Sequence, residues 1–139
     1  MNVDDQYLEA KVMTAQPHQL HMMVVDGAIR HATRAEEALE QQDFETAHLS
    51  LGTAREFVSE LISGLNNEHA PELVDSLKAL FVYVYRNFVD ADVQHEPRLV
   101  RDALNILRQH RETWAVVTEK LQDEQTAAPE SATGVSWTT

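Results

Sequence analysis

Histidines and carboxylates are the side chains in this sequence that could hold a metal ion or carry a phosphoryl group. Seven histidines occur in 139 residues. His18 and His21 are three apart, a spacing that puts both on one face of a helix, close enough to share an ion. Glu45 and His48 form one Glu-x-x-His. A di-iron bundle needs two such motifs and two further inward Glu, and the chain has no second motif. Solvated histidines are the plainer reading, and neither a metal nor any other cofactor is expected. A different chemistry turns on His48 alone. In Ala47-His48-Leu49-Ser50-Leu51-Gly52 a histidine is followed one turn later by glycine, which would let a receiver approach a histidine phosphotransfer module. Such a module also needs a basic neighbour to hold the phosphoryl group, and Leu51 stands where Lys is usual. His48 as phospho-acceptor is the alternative function. No Gly-rich phosphate loop, H-E-x-x-H or Ser nucleophile near a credible base is present. The residues point to a binding protein rather than a catalyst.

Composition narrows the class of partner. The formal net charge of −12 opposes binding to nucleic acid or anionic lipid and favours an apolar or basic partner. Cysteine is absent, which excludes disulfides and suits a reducing cytoplasm. No apolar run approaches the roughly 18 residues needed to span a membrane. The opening MNVDDQYLEAK is acidic and lacks the apolar stretch of a signal peptide. Four Gly and four Pro fit an all-helical chain.

The elements that would position these residues are four helices, expected at about residues 17–41, 44–66, 71–91 and 97–122. Pro17, Pro71 and Pro97 each sit where a first helical residue loses no hydrogen bond, and Asp43 is a good N-cap. Leu20, Val24, Gly27, Ala28, His31, Ala35, Ala38 and Leu39 are expected on the inner face of the first helix. Ala47, Leu51, Ala54, Val58, Leu61, Ile62 and Leu65 form the stripe of the second. Leu99, Val100, Ala103, Leu104, Ile106, Leu107, Trp114, Val117 and Leu121 form that of the fourth. Long helices joined by short turns predict an all-α, antiparallel up-down-up-down four-helix bundle over residues 17–122. An arm precedes it (1–16) and a disordered tail follows it (123–139), of low hydrophobicity, in which Trp137 is the one sticky residue.

The third helix, LVDSLKALFVYVYRNFV, is apolar on more than one side. Leu73, Leu77, Leu80, Val84 and Phe88 share a stripe that Val74 and Phe81 widen. Val82, Tyr85 and Val89 point roughly 90–140° away from it. Such a helix is either buried all round or keeps one side for a partner. The groove candidates are the apolar residues that their helices' main stripes do not use: Leu49, Phe57, Val82, Tyr85 and Val89. Tyr7, Leu8, Val12 and Met13 of the arm are too few to fold alone, and an arm of this length can reach and cap the groove. Arg98, Arg101, Arg108 and Arg111 share the outer side of the fourth helix. They mark a candidate docking face, or else pair with neighbouring Asp and Glu.

Taken in order, Tyr7, Val12, Thr14-Ala15, Pro17, Leu20, Asp26-Gly27-Ala28-Ile29-Arg30, Ala54, Glu60-Leu61, Leu65, Leu80-Phe81-Val82-Tyr83 and Trp114 resemble the FliS flagellar export chaperones over about residues 6–121. Val25 and Phe81 stand where that family usually has tyrosine, and His31 where it has a large apolar residue. The resemblance implies a cytoplasmic four-helix bundle that binds the disordered C-terminal segment of flagellin. Binding prevents premature polymerisation, and the loaded complex docks on the export gate of flagellar type III secretion. It implies no catalysis, no nucleic acid and no membrane insertion. A weak homodimer of the unloaded form is a further expectation.

Overall fold

Prolines open three of the four helices. In the computed structural model, which describes residues 17–65 and 70–127, α1 spans Pro17–Glu40, α2 Phe44–Ser63, α3 Pro71–Gln94 and α4 Pro97–Ala127. No strand occurs among the described residues. Asp43 caps α2 by accepting from the Thr46 N–H at 3.2 Å. α1 closes through Gln42, at φ 59°. There the Gln42 N–H bonds to the Leu39 carbonyl at 3.1 Å and the Asp43 N–H to the Ala38 carbonyl at 2.8 Å, the bond pair of a left-handed C-terminal closure. α3 closes likewise on His95, at φ 55°, whose ring stacks on Phe44 with centroids 3.9 Å apart.

The ends differ from expectation by up to five residues. α2 stops at Ser63, with Gly64 as its C-cap still in helical geometry and its N–H bonded to the Glu60 carbonyl. α3 continues to Gln94 because its closing residue is a histidine rather than a glycine, so the sequence carries no stop signal. α4 continues to Ala127. The first breaker on that stretch is Pro129, which disfavours helix in the residue before it. Residues 123–127, expected in a disordered tail, are therefore helical. Residues 128–139 with Trp137, and the arm with Tyr7, Leu8, Val12 and Met13, lie outside the described residues.

Each helix packs antiparallel on two neighbours, so the four close into a ring in the order α1, α2, α3, α4. Pairings across α1 and α4 run from His21–His110 to Glu40–Arg101. Those across α2 and α3 include His48–Asp92 near one end. The core is fully buried at Val25, Ala28, Ala32, Leu51, Val58, Leu61, Phe81, Val84, Phe88, Val100, Leu104 and Leu107. α1 contributes mostly alanine (Ala28, Ala32, Ala35, Ala38), which lets its neighbours approach closely.

Two inner faces are rotated from the expected ones. On α1, Leu20, Val24 and His31 are only partly buried, and His21, Val25 and Ala32 take the centre. On α3, Phe81, Val84, Phe88 and Ala91 lead, while Leu73 is 50% exposed. On α1 the inward face includes a buried polar side chain, His21, which lies among Phe81, His110 and Trp114.

Candidate functional site

Between α2 and α3 the outer side of the seam opens into a cleft. Ser59 and Ile62 of α2 and Val82, Tyr85, Arg86, Val89 and Asp90 of α3 line an open cleft of about 450 Å³. Its α3 wall follows from spacing. Positions 82, 85 and 89 share one flank of the helix, while Val84, Phe88 and Ala91 point into the core. The doubly apolar α3 thus buries one face in the core and leaves a second flank at the cleft. Above the cleft the two helices are tied together. Asp92 meets His48 Nδ1 at 2.7 Å and an Arg55 guanidinium nitrogen at 3.4 Å.

The five groove candidates do not stay together. Val82, Tyr85 and Val89 line the cleft. Phe57 faces the other way, toward α1. Its ring fills the notch above Gly27, where a Cβ would come within 2.5 Å of it, and stacks on His31 with centroids 5.6 Å apart and planes 18° apart. Phe57 therefore joins α1 to α2 and is not a lining residue. Leu49 is 65% exposed on the outer side of α2, and it is not among the lining residues either. Ile62, read from the sequence as core, is a lining residue. It lies on the α3-facing edge of its stripe, and that edge position is the signal that would have found it. Polar Ser59 left no trace in the apolar pattern.

The arginines of α4 line its seam with α1. Arg101 meets Glu36 at 3.1 Å and Glu40 at 3.2 Å, Arg111 pairs with Asp26, and Arg108 donates to the Thr33 hydroxyl at 3.4 Å. Arg98 is exposed at the helix start, where its N–H donates to Glu96. Three of the four candidate docking residues are thus engaged within the bundle.

The histidines resolve into different roles. His48 is exposed and bonded to a carboxylate, and an acid at its Nδ1 would repel the phosphoryl group that a phosphotransfer histidine must carry. His21 and His110 form a buried pair that sequence reasoning missed, with Nε2 atoms 2.7 Å apart, so one ring donates and the other accepts. Trp114 covers them and donates its indole N–H to the His18 carbonyl at 3.0 Å. Burial, with the facing His110 ring, pushes His21 down to about 2, and burial pushes His110 down to about 4. Both rings are therefore neutral near pH 7. Among the described residues, no three histidines or carboxylates come close enough to hold a metal.

Comparison with known proteins gives the family of the chain. The sequence model of a family described as "Flagellar protein FliS" matches residues 1–121. The flagellar secretion chaperone FliS of Salmonella typhimurium is 30% identical over 114 residues, covering 81% of this chain and 84% of that protein. The flagellar secretion chaperone FliS of Bacillus subtilis is 28% identical over 108 residues, covering 78% and 80%. The flagellar secretion chaperone FliSB of Pseudomonas aeruginosa is 24% identical over 107 residues, covering 77% and 85%.

Proposed function

The chain belongs to the FliS family of flagellar secretion chaperones, and from that premise we propose that it holds the disordered, apolar C-terminal segment of flagellin in the α2–α3 cleft. It acts by binding rather than by catalysis. Occupying that segment in the cytoplasm keeps flagellin from polymerising early and presents it, loaded, to the export gate. The observation that supports this reading is the cleft itself. Val82, Tyr85 and Val89 are large apolar groups left in reach of water on a bundle that buries its core elsewhere. A segment that orders on binding loses a few kcal/mol. Each large apolar side chain covered returns roughly 1.5–3 kcal/mol, so a few anchors suffice.

The N-terminal arm serves as the cover of the empty cleft. It starts from Pro17, and about ten extended residues reach roughly 33 Å. Cargo displaces it, and its presence limits self-association of the unloaded chaperone through the apolar patch. Isothermal calorimetry with a C-terminal flagellin peptide tests the reading. Binding is expected to the intact protein and to be lost on Val82→Asp with the helical spectrum unchanged. Equal binding by both proteins, or none by either, defeats it. Deleting residues 1–13 is expected to leave a folded bundle that binds the peptide more tightly and aggregates more readily.

A further inference from the structure

Two charged residues line the cleft and are used by nothing else in the bundle. Arg86 and Asp90 stand one turn apart on α3, beside Tyr85 and Val89. The tied places pair their charges: Arg55 with Asp92, Arg101 with Glu36 and Glu40, Arg111 with Asp26. Among the described residues neither Arg86 nor Asp90 makes an ion pair or a side-chain hydrogen bond. A cation and an anion in fixed order thus flank an apolar wall.

The wall has the spacing of a helix-packing seam. Val82, Tyr85 and Val89 fall at intervals of three and four, the intervals that accept knobs from a second helix. From Val82 to Asp90 the wall is about 12 Å long, room for two to three turns of an amphipathic helix laid in the groove between α2 and α3. A second copy of this chain would occupy it only weakly, since the net charge of −12 makes two copies repel.

We propose that Arg86 and Asp90 set the direction in which a helical segment lies in the cleft. The segment would carry an acidic residue level with Arg86 and a basic residue, one turn away, level with Asp90. Acid before base in its sequence makes it run parallel to α3; base before acid makes it antiparallel. The reversed segment would set like charges against each other twice, so direction is selected by repulsion as much as by attraction. This rests on the proposed reading of the cleft as the seat of a partner segment that orders on binding. Both groups are exposed, so each is expected to change affinity only about two- to fivefold.

The test uses a short designed amphipathic peptide, with a leucine stripe flanked by one Glu and, four residues later, one Lys. A nitroxide sits at its N-terminus, and amide signals of the full-length chaperone are recorded. Broadening is expected around Leu77 and Val82 and not at Val93. In the charge-conserving double variant Arg86→Asp/Asp90→Arg it should move to Val93, and a Lys-then-Glu peptide should reverse both results. Broadening that ignores the exchange, spreads over both ends or never reaches the cleft overturns the proposal. A parallel titration with a C-terminal flagellin peptide on the intact protein and Val82→Asp separates the two readings. Flagellin binding that Val82→Asp abolishes, with no dependence of direction on charge, removes only this inference. A designed peptide that orients as stated beside a flagellin peptide that does not bind removes only the flagellin reading.

Discussion

The seam between α1 and α4 and the seam between α2 and α3 solve the same packing problem differently. On the first, Asp26, Thr33, Glu36 and Glu40 meet Arg111, Arg108 and Arg101 along the outer edge. His21, His110 and Trp114 fill one end of that seam, and Ala28, Ala32, Ala35, Val100, Leu104 and Leu107 fill the rest. On the second, the charged tie of His48, Arg55 and Asp92 holds one end, and apolar side chains below it face an open cleft. Exposed ion pairs are individually weak, so charge does not hold the first seam shut. The buried filling does, and the charges set its register. The second seam is filled on its inner side by Leu51, Val58, Leu61, Val84 and Phe88 and left open on its outer side.

Removing the filling should break this contrast with the largest effect. Trp114→Ala deletes a buried indole and should lower unfolding free energy by about 3–5 kcal/mol, read from urea denaturation. If the loss is below about 1 kcal/mol, the first seam is not held as described.

Acid should act on the same seam next. The folded-state pKa values of His21 and His110 lie below the unfolded value of 6.5. The unfolded chain therefore takes up protons that the folded one refuses, and stability is full above pH 6.5. It falls as pH drops toward the folded values of about 4 and 2, by up to about 1.4 kcal/mol per pH unit for each ring. Urea midpoints between pH 7 and 5 measure this, and His110→Gln should flatten the decline.

On the open seam the expected effect moves from stability to binding. Val89→Asp, at a side chain 36% exposed, should weaken a flagellin peptide by about tenfold or more with little change in melting temperature. Phe57→Asp should instead unfold the protein, because its ring is seated against Gly27. A Phe57→Asp protein that stays folded and loses only binding would put Phe57 back in the binding surface. The smallest effect is reserved for the charges of the closed seam. Arg101→Gln should cost at most about 1 kcal/mol and less in high salt, measured by thermal melts at two ionic strengths.

The bundle was legible because its signals are local. Pro17, Pro71, Pro97 and Asp43 mark starts, and the apolar period marks lengths. The α3 pattern showed that one helix had more apolar surface than a core face needs, and it named Val82, Tyr85 and Val89. What it missed depends on partners in other helices. Phe57 reads as surplus until Gly27 is placed beneath it. Ile62 reads as core and does pack against it, but its outer side also lines the cleft. His21 and His110 read as surface because histidine is polar, and only the opposing ring and the Trp114 cover make their burial tolerable. The left-handed closure at His95 carries no glycine, so its exact place did not announce itself.

The ring closure between α1 and α4 also has a kinetic consequence. Its side-chain links join residues 61 to 96 positions apart, whereas those tying α2 to α3 span 37 and 44. Each doubling of a loop costs about 0.6 kcal/mol of closure entropy, so the first seam is the harder one to bring together from an extended chain. The α2–α3 hairpin needs only residues 44–94, all of which have left the ribosome before α4 is complete. During synthesis, the two helices that line the cleft can thus take shape ahead of the last helix that stabilises them.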